Sequence, residues 1–77
     1  MDITQCRMAR AGLNWSAADL ARASGVGYAT VARFESGQQV RPDSVTALRT
    51  TLEAQGVQFI GGGALVGALA PVEVNRG

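Results

Sequence analysis

A chain of 77 residues holds one domain at most, and at that size folding buries roughly 60% of the surface that the unfolded chain exposes, so the core is thin and a dimer would help it. The composition, 47% hydrophobic and 17% charged with a net charge of +1, is that of a globular protein without the strongly basic balance of many nucleic-acid binders, so any basic surface has to be local. With no histidine and one cysteine, the sequence excludes His-based metal sites, Ser-His or Cys-His nucleophiles and an intrachain disulfide, and the lone thiol fits a reducing cytosol.

The first helix is expected from about Ile3 to Leu13. Asp2 and Gln5 have the spacing of a capping box, Asn14 tolerates the left-handed conformation of a helix end, and Ile3, Cys6, Ala9 and Leu13 recur as a buried stripe. A second helix starts after Ser16, with Asp19 three residues on and with Trp15 and Leu20 at the positions of a hydrophobic staple. Gly25 is placed to take a positive φ in a three-residue turn. Gly27 caps a third helix without a side-chain oxygen, and that helix ends at Ser36 with Gly37 as its left-handed stop. Pro42 fits the first turn of a fourth helix, which continues through Val45, Leu48 and Leu52 to Gln55 and stops at Gly56.

Beyond Gly56 the period changes. Val57 to Ile60 read as a short strand, followed by a flexible turn at Gly61, Gly62 and Gly63 and a second apolar stretch from Ala64 to Ala70. No lysine or phosphate-loop pattern follows the three glycines. The strand either closes a hairpin with the later stretch or pairs with the same strand of a second chain, and Val57, Phe59, Ile60 and Leu65 are the expected dimerisation residues. The apolar run from Val57 to Ala70 is interrupted by glycines and is shorter than the ~18 residues of a membrane span, so no membrane partner is expected. Pro71 to Gly77 reads as a disordered tail. The division that results is 1–56 as a helical unit, 57–70 as a strand or dimerisation segment and 71–77 as a flexible tail.

Residues 16 to 37, SAADLARASGVGYATVARFESG, have the layout of a helix-turn-helix. Leu20, Val26, Val31 and Phe34 fall on one inward face, and Ala21 and Gly25 are small where the helices and turn approach. The second helix of the pair then carries Tyr28, Ala29, Thr30 and Arg33 outward, at a width that fits the DNA major groove. Arg7, Arg22 and Arg49 read as solvated surface, and Cys6 as a small core residue.

The pattern L-A-x-x-x-G-V at 20 to 26, Thr30 with Val31, F-E-S-G at 34 to 37 and R-P at 41 and 42 resembles the Cro/C1-type, XRE-like helix-turn-helix family of phage and bacterial regulators, over about residues 3 to 56. The resemblance implies a mainly α fold, a four-helix lambda-repressor-like DNA-binding domain, here with a short C-terminal strand or hairpin where the family often has a fifth helix. It implies base reading by Tyr28, Ala29 and Arg33, with Arg33 suited to bidentate contact with guanine. It implies backbone contacts from Ser16, Ala17, Gly27, Thr30, Gln38, Arg41 and Arg10, and a buried structural pair of Arg10 with Glu35. Family members often carry glutamine and a hydroxyl residue where this chain has Ala17 and Gly27, which leaves backbone N–H groups to meet phosphate there.

The expected function is a sequence-specific, cytoplasmic transcriptional regulator, a repressor that binds double-stranded DNA at an inverted repeat as a homodimer. No enzyme activity, cofactor or metal is expected. The alternative is a protein-interaction module, such as an antitoxin-like partner that uses the C-terminal segment to bind another protein.

Overall fold

The computed structural model describes residues 1–61 and 63–65. Four helices follow one another: α1 (Ile3–Leu13), α2 (Ala17–Ser24), α3 (Tyr28–Glu35) and α4 (Pro42–Ala54). Two three-residue strands, β1 (Gln58–Ile60) and β2 (Gly63–Leu65), close an antiparallel hairpin in which Gln58 faces Leu65, Phe59 faces Ala64 and Ile60 faces Gly63. The fold is therefore the expected four-helix domain with a C-terminal hairpin. Of the two pairings open to the strand, the one within the chain is formed.

The starts of α1 and α2 and the ends of all four helices are specified locally. Asp2 accepts from the Gln5 N–H at 2.8 Å while the Gln5 side chain accepts from the Asp2 N–H at 2.9 Å, and Ser16 and Asp19 make the same reciprocal pair at the start of α2. The Ser16 N–H and hydroxyl together hold the Asp19 carboxyl below its ordinary range. Asn14 ends α1 in the left-handed conformation, and Gly25 does the same for α2 at φ +77°. At Gly37 and Gly56 the chain turns through a Schellman motif: the Gln38 N–H reaches back to the Arg33 carbonyl and the Val57 N–H to that of Leu52.

The core is small. Cys6 and Ala9 from α1, Leu20 from α2, Val31 and Phe34 from α3, and Leu48 and Leu52 from α4 form one buried cluster, with Ile3, Leu13, Trp15 and Val26 packed at its margin. Val57 joins it at 3% exposure. Val57 was expected in a dimer interface, but as the apolar residue after the Gly56 cap it folds back onto the last turn of α4 and is used by the chain's own core. Phe59 is also engaged within the chain. It packs against the core, and the Arg49 guanidinium stands 5.8 Å from its ring centroid. Ile60 points away from the core and is 52% exposed. Leu65 is opposite Gln58 in the register, and residues 66–77, including most of the second apolar stretch and the expected disordered tail, lie outside the described residues.

One polar side chain fastens the hairpin. Gln5, 7% exposed, gives its carbonyl to the Asp2 N–H and donates its amide to the carbonyls of Gly61 and Gly63, each at 3.0 Å. It thus serves both the cap of α1 and the turn of the hairpin, sealing two carbonyls that would otherwise need water. Replacing Gln5 with Ala should cost about 2 kcal/mol in urea unfolding, from buried groups left without partners. Hydrogen exchange should rise first at Gly61 to Leu65, with α2 and α3 little changed.

Candidate nucleic-acid interface

The placement of α3 begins with a buried ion pair. Arg10 leaves α1 toward the end of α3 and meets Glu35 with two parallel bonds, Nε to Oε2 and Nη2 to Oε1, both at 2.7 Å, while its Nη1 donates to the Trp15 carbonyl at 3.0 Å. The side chains are 19% and 11% exposed. One fork thereby ties together α1, the α1–α2 turn and the C-terminal end of α3. The Cys6 thiol, fully buried, donates to the same carboxylate at 3.4 Å. Burial, then the bond to Glu35, pushes the Cys6 thiol up to about 12, and Glu35 holds the Arg10 guanidinium above its usual range. Three of the five Arg10 donors are consumed, so the residue acts as the expected clamp. Its expected second role, at phosphate, has only the remaining two donors on a largely covered side chain.

The opposite side of α3 is open. Val31 and Phe34 face the core, whereas Tyr28, Ala29 and Arg33 are exposed, Tyr28 at 59%. Arg33 has no carboxylate partner among the described residues and makes one long bond, 3.4 Å, to the Thr30 hydroxyl. Arg22 is matched with Asp19, and Arg49 with Glu53 at 3.0 Å. Arg41 lies 3.7 Å from Asp43, with both side chains almost wholly solvated, a spacing and exposure at which an ion pair is worth little. Glu35, the acid nearest the recognition surface in sequence, is neutralised inside. The surface is positive at Arg33, whereas at Arg41 the solvated Asp43 offsets the charge.

Helix starts supply the remaining polarity. Ser16 caps α2 through its hydroxyl, whereas Gly27 and Arg41 give α3 and α4 no side-chain cap. The first N–H groups after each cap, at Ala17, Tyr28 and Ala29, have no acceptor within their helix and so suit an anion. An open cleft runs between α3 and the start of α4, lined by Thr30, Arg33, Gln39, Val40, Arg41 and Ser44. Gln38 is exposed just before it, with its amide 3.2 Å from the Ser36 hydroxyl. The structure therefore gathers Tyr28, Ala29, Thr30, Arg33, Gln38 and Arg41 about one face, with Ser16, Ala17 and Gly27 at helix starts. Ser44 and Gln39 were not picked out from the sequence, and the polar residues flanking the R-P pair are the signal that marks them. The hairpin packs on α1, and Tyr28, Ala29 and Arg33 on α3 stay exposed.

A family model described as "Helix-turn-helix" matches residues 7–53, more than half the chain, and spans α2, the turn, α3 and most of α1 and α4. No curated protein and no solved structure matches the chain. No helix among the described residues is long and apolar enough to cross a membrane, and no group of side chains there is arranged to hold a metal ion.

Two measurements check the clamp. Arg10→Ala should lower unfolding free energy by about 3 kcal/mol, the low end expected for breaking a buried pair because both side chains keep some solvent contact. The thiol, an acid whose folded value is raised, stabilises the fold fully below pH 9 and loses that contribution as pH climbs toward about 12. Stability in that window should fall by about 1 kcal/mol per pH unit, and Cys6→Ala should remove this slope.

Proposed function

Because the chain belongs to the XRE-type helix-turn-helix family of DNA-binding transcriptional regulators, we propose that it is a cytoplasmic repressor that binds an inverted-repeat operator as a homodimer. The observation that carries the reading is Arg33, exposed on α3 and without a carboxylate partner among the described residues. Its planar fork matches the O6 and N7 acceptors of guanine in the major groove. Tyr28 and Ala29 flank it, offering a phenol and a methyl group to neighbouring bases, the methyl suited to apolar contact with thymine.

Phosphates on either side of the groove are held by the N–H groups after Ser16 and Gly27, the first of them that of Ala17, by the side chains of Thr30 and Gln38, and by Arg41 at the start of α4. Arg10 acts from behind by fixing α3 against α1. In this division of labour, residues 1–56 read DNA and 57–70 serve assembly, with Phe59, Ile60 and Leu65 on the hairpin that faces a second copy and Val57 inside the core. Two recognition helices about 34 Å apart then address successive major grooves on one side of the duplex.

A single recognition helix with one arginine, and Arg41 beside it at the start of α4, makes few phosphate contacts, so one monomer holds DNA weakly and the dimer supplies the affinity. Gel shifts on the DNA flanking the protein's own gene test this. Arg33→Ala should weaken binding there by about 10- to 100-fold while leaving binding to unrelated duplex nearly unchanged. Arg41→Ala should weaken both alike and flatten the salt dependence by about one phosphate contact. Equal affinity of wild type and Arg33→Ala for the flanking DNA would remove Arg33 from base reading.

A further inference from the structure

The side of the hairpin away from α1 bears an arrangement of charge that matches itself. β1 has β2 as its one strand neighbour among the described residues. Next to it on α4, Arg49 and Glu53 form a pair at 3.0 Å, 49% and 45% exposed, with the Arg49 guanidinium over the Phe59 ring. Ile60, the following residue, is half in solvent. The Phe59 ring thus lies under one member of a positive and negative pair one turn apart on α4, while Ile60 is exposed on the other face of β1.

We propose that this surface docks a second copy of the same chain, β1 against β1 in antiparallel pairing about a two-fold axis, with Arg49 of each copy meeting Glu53 of the other. This rests on the homodimer reading above and names its surface. Identical strands related by a two-fold axis pair antiparallel, so a register centred on Phe59 sets Gln58 of one chain against Ile60 of the other. β1 has no charged residue that such a register would bring against its own copy. The two-fold operation also turns an adjacent plus and minus into two matched contacts, the self-complementarity that a closed dimer requires. Pairing gives β1 a second strand neighbour where it has one among the described residues, and two such ribbons make the four-stranded sheet that a lone hairpin is too small to be. Arg49 then does more than lie solvated on α4: it shields Phe59 and sets the orientation of the partner.

Charge reversal gives a test that folding defects cannot imitate. Arg49→Glu leaves two acids at the edge and Glu53→Arg leaves two bases, so each variant alone repels its own copy, while an equimolar mixture restores every contact between unlike chains. Sedimentation equilibrium of the full chain, with circular dichroism to confirm helix content, should find wild type dimeric and each variant dissociating at least about ten-fold more readily. The mixture should return to wild-type dimerisation. A dimeric wild type with variants that dimerise equally well, or a mixture without rescue, would overturn this surface and leave the homodimer reading standing. A monomeric wild type would overturn both.

Discussion

The fork between Arg10 and Glu35 is the constraint on which the rest of the molecule depends. A 77-residue chain with eight buried apolar side chains among its described residues has little packing to spare, and the helix that presents Tyr28 and Arg33 is only eight residues long. Helices of that length are not stable alone, so the orientation of α3 comes from what holds its inner side. Val31 and Phe34 hold it by packing and Glu35 by charge, and the charge is the directional part: two parallel bonds to one guanidinium fix both the position and the rotation of the helix end. Through the third bond, to the Trp15 carbonyl, the same guanidinium also fixes the turn that starts α2.

The clamp has an electrostatic consequence on the outer side. Glu35 follows Arg33 by two residues, and a free carboxylate there would repel phosphate and compete for the arginine. Turned inward, taken up by Arg10 and hydrogen-bonded by Cys6, it leaves the outward face to Arg33 and Arg41. A chain with a net charge of only +1 can therefore present a positive group at Arg33, because Asp2 and Asp19 are engaged in caps, Glu53 with Arg49 and Glu35 in the core, while Asp43 stays solvated beside Arg41. Affinity is local in such a protein, and doubling the surface by assembly is the economical way to increase it.

Most of the helical part was legible in the sequence because its signals are local. Capping boxes at Asp2 and Ser16, the left-handed Asn14 and Gly25, and the pattern L-A-x-x-x-G-V each act within a few residues, and the four helices lie within a residue or two of where those signals put them. The Arg10–Glu35 pair, 25 residues apart, came from the family resemblance, since no spacing rule reaches so far. What escaped was the second use of residues already assigned one. Gln5 read as a capping residue also binds carbonyls 56 and 58 positions away. Cys6 read as a small apolar residue donates a hydrogen bond to a carboxylate. Val57 and Phe59 read as interface because they open a β-like run, and nothing local told that one closes a helix cap and the other lies under Arg49. Such long-range contacts depend on tertiary approach, to which local pattern is blind.

The central claim, that α3 reads bases with the side chains its clamp holds outward, is tested most directly by selecting duplexes from a random-sequence pool with wild type and with Arg33→Gln. The expected result is an inverted-repeat consensus for wild type, with one guanine in each half-site replaced by adenine when glutamine takes the place of arginine, because glutamine pairs with the adenine N6 and N7 edge. No consensus from the wild-type protein, or the same consensus from both, would contradict it.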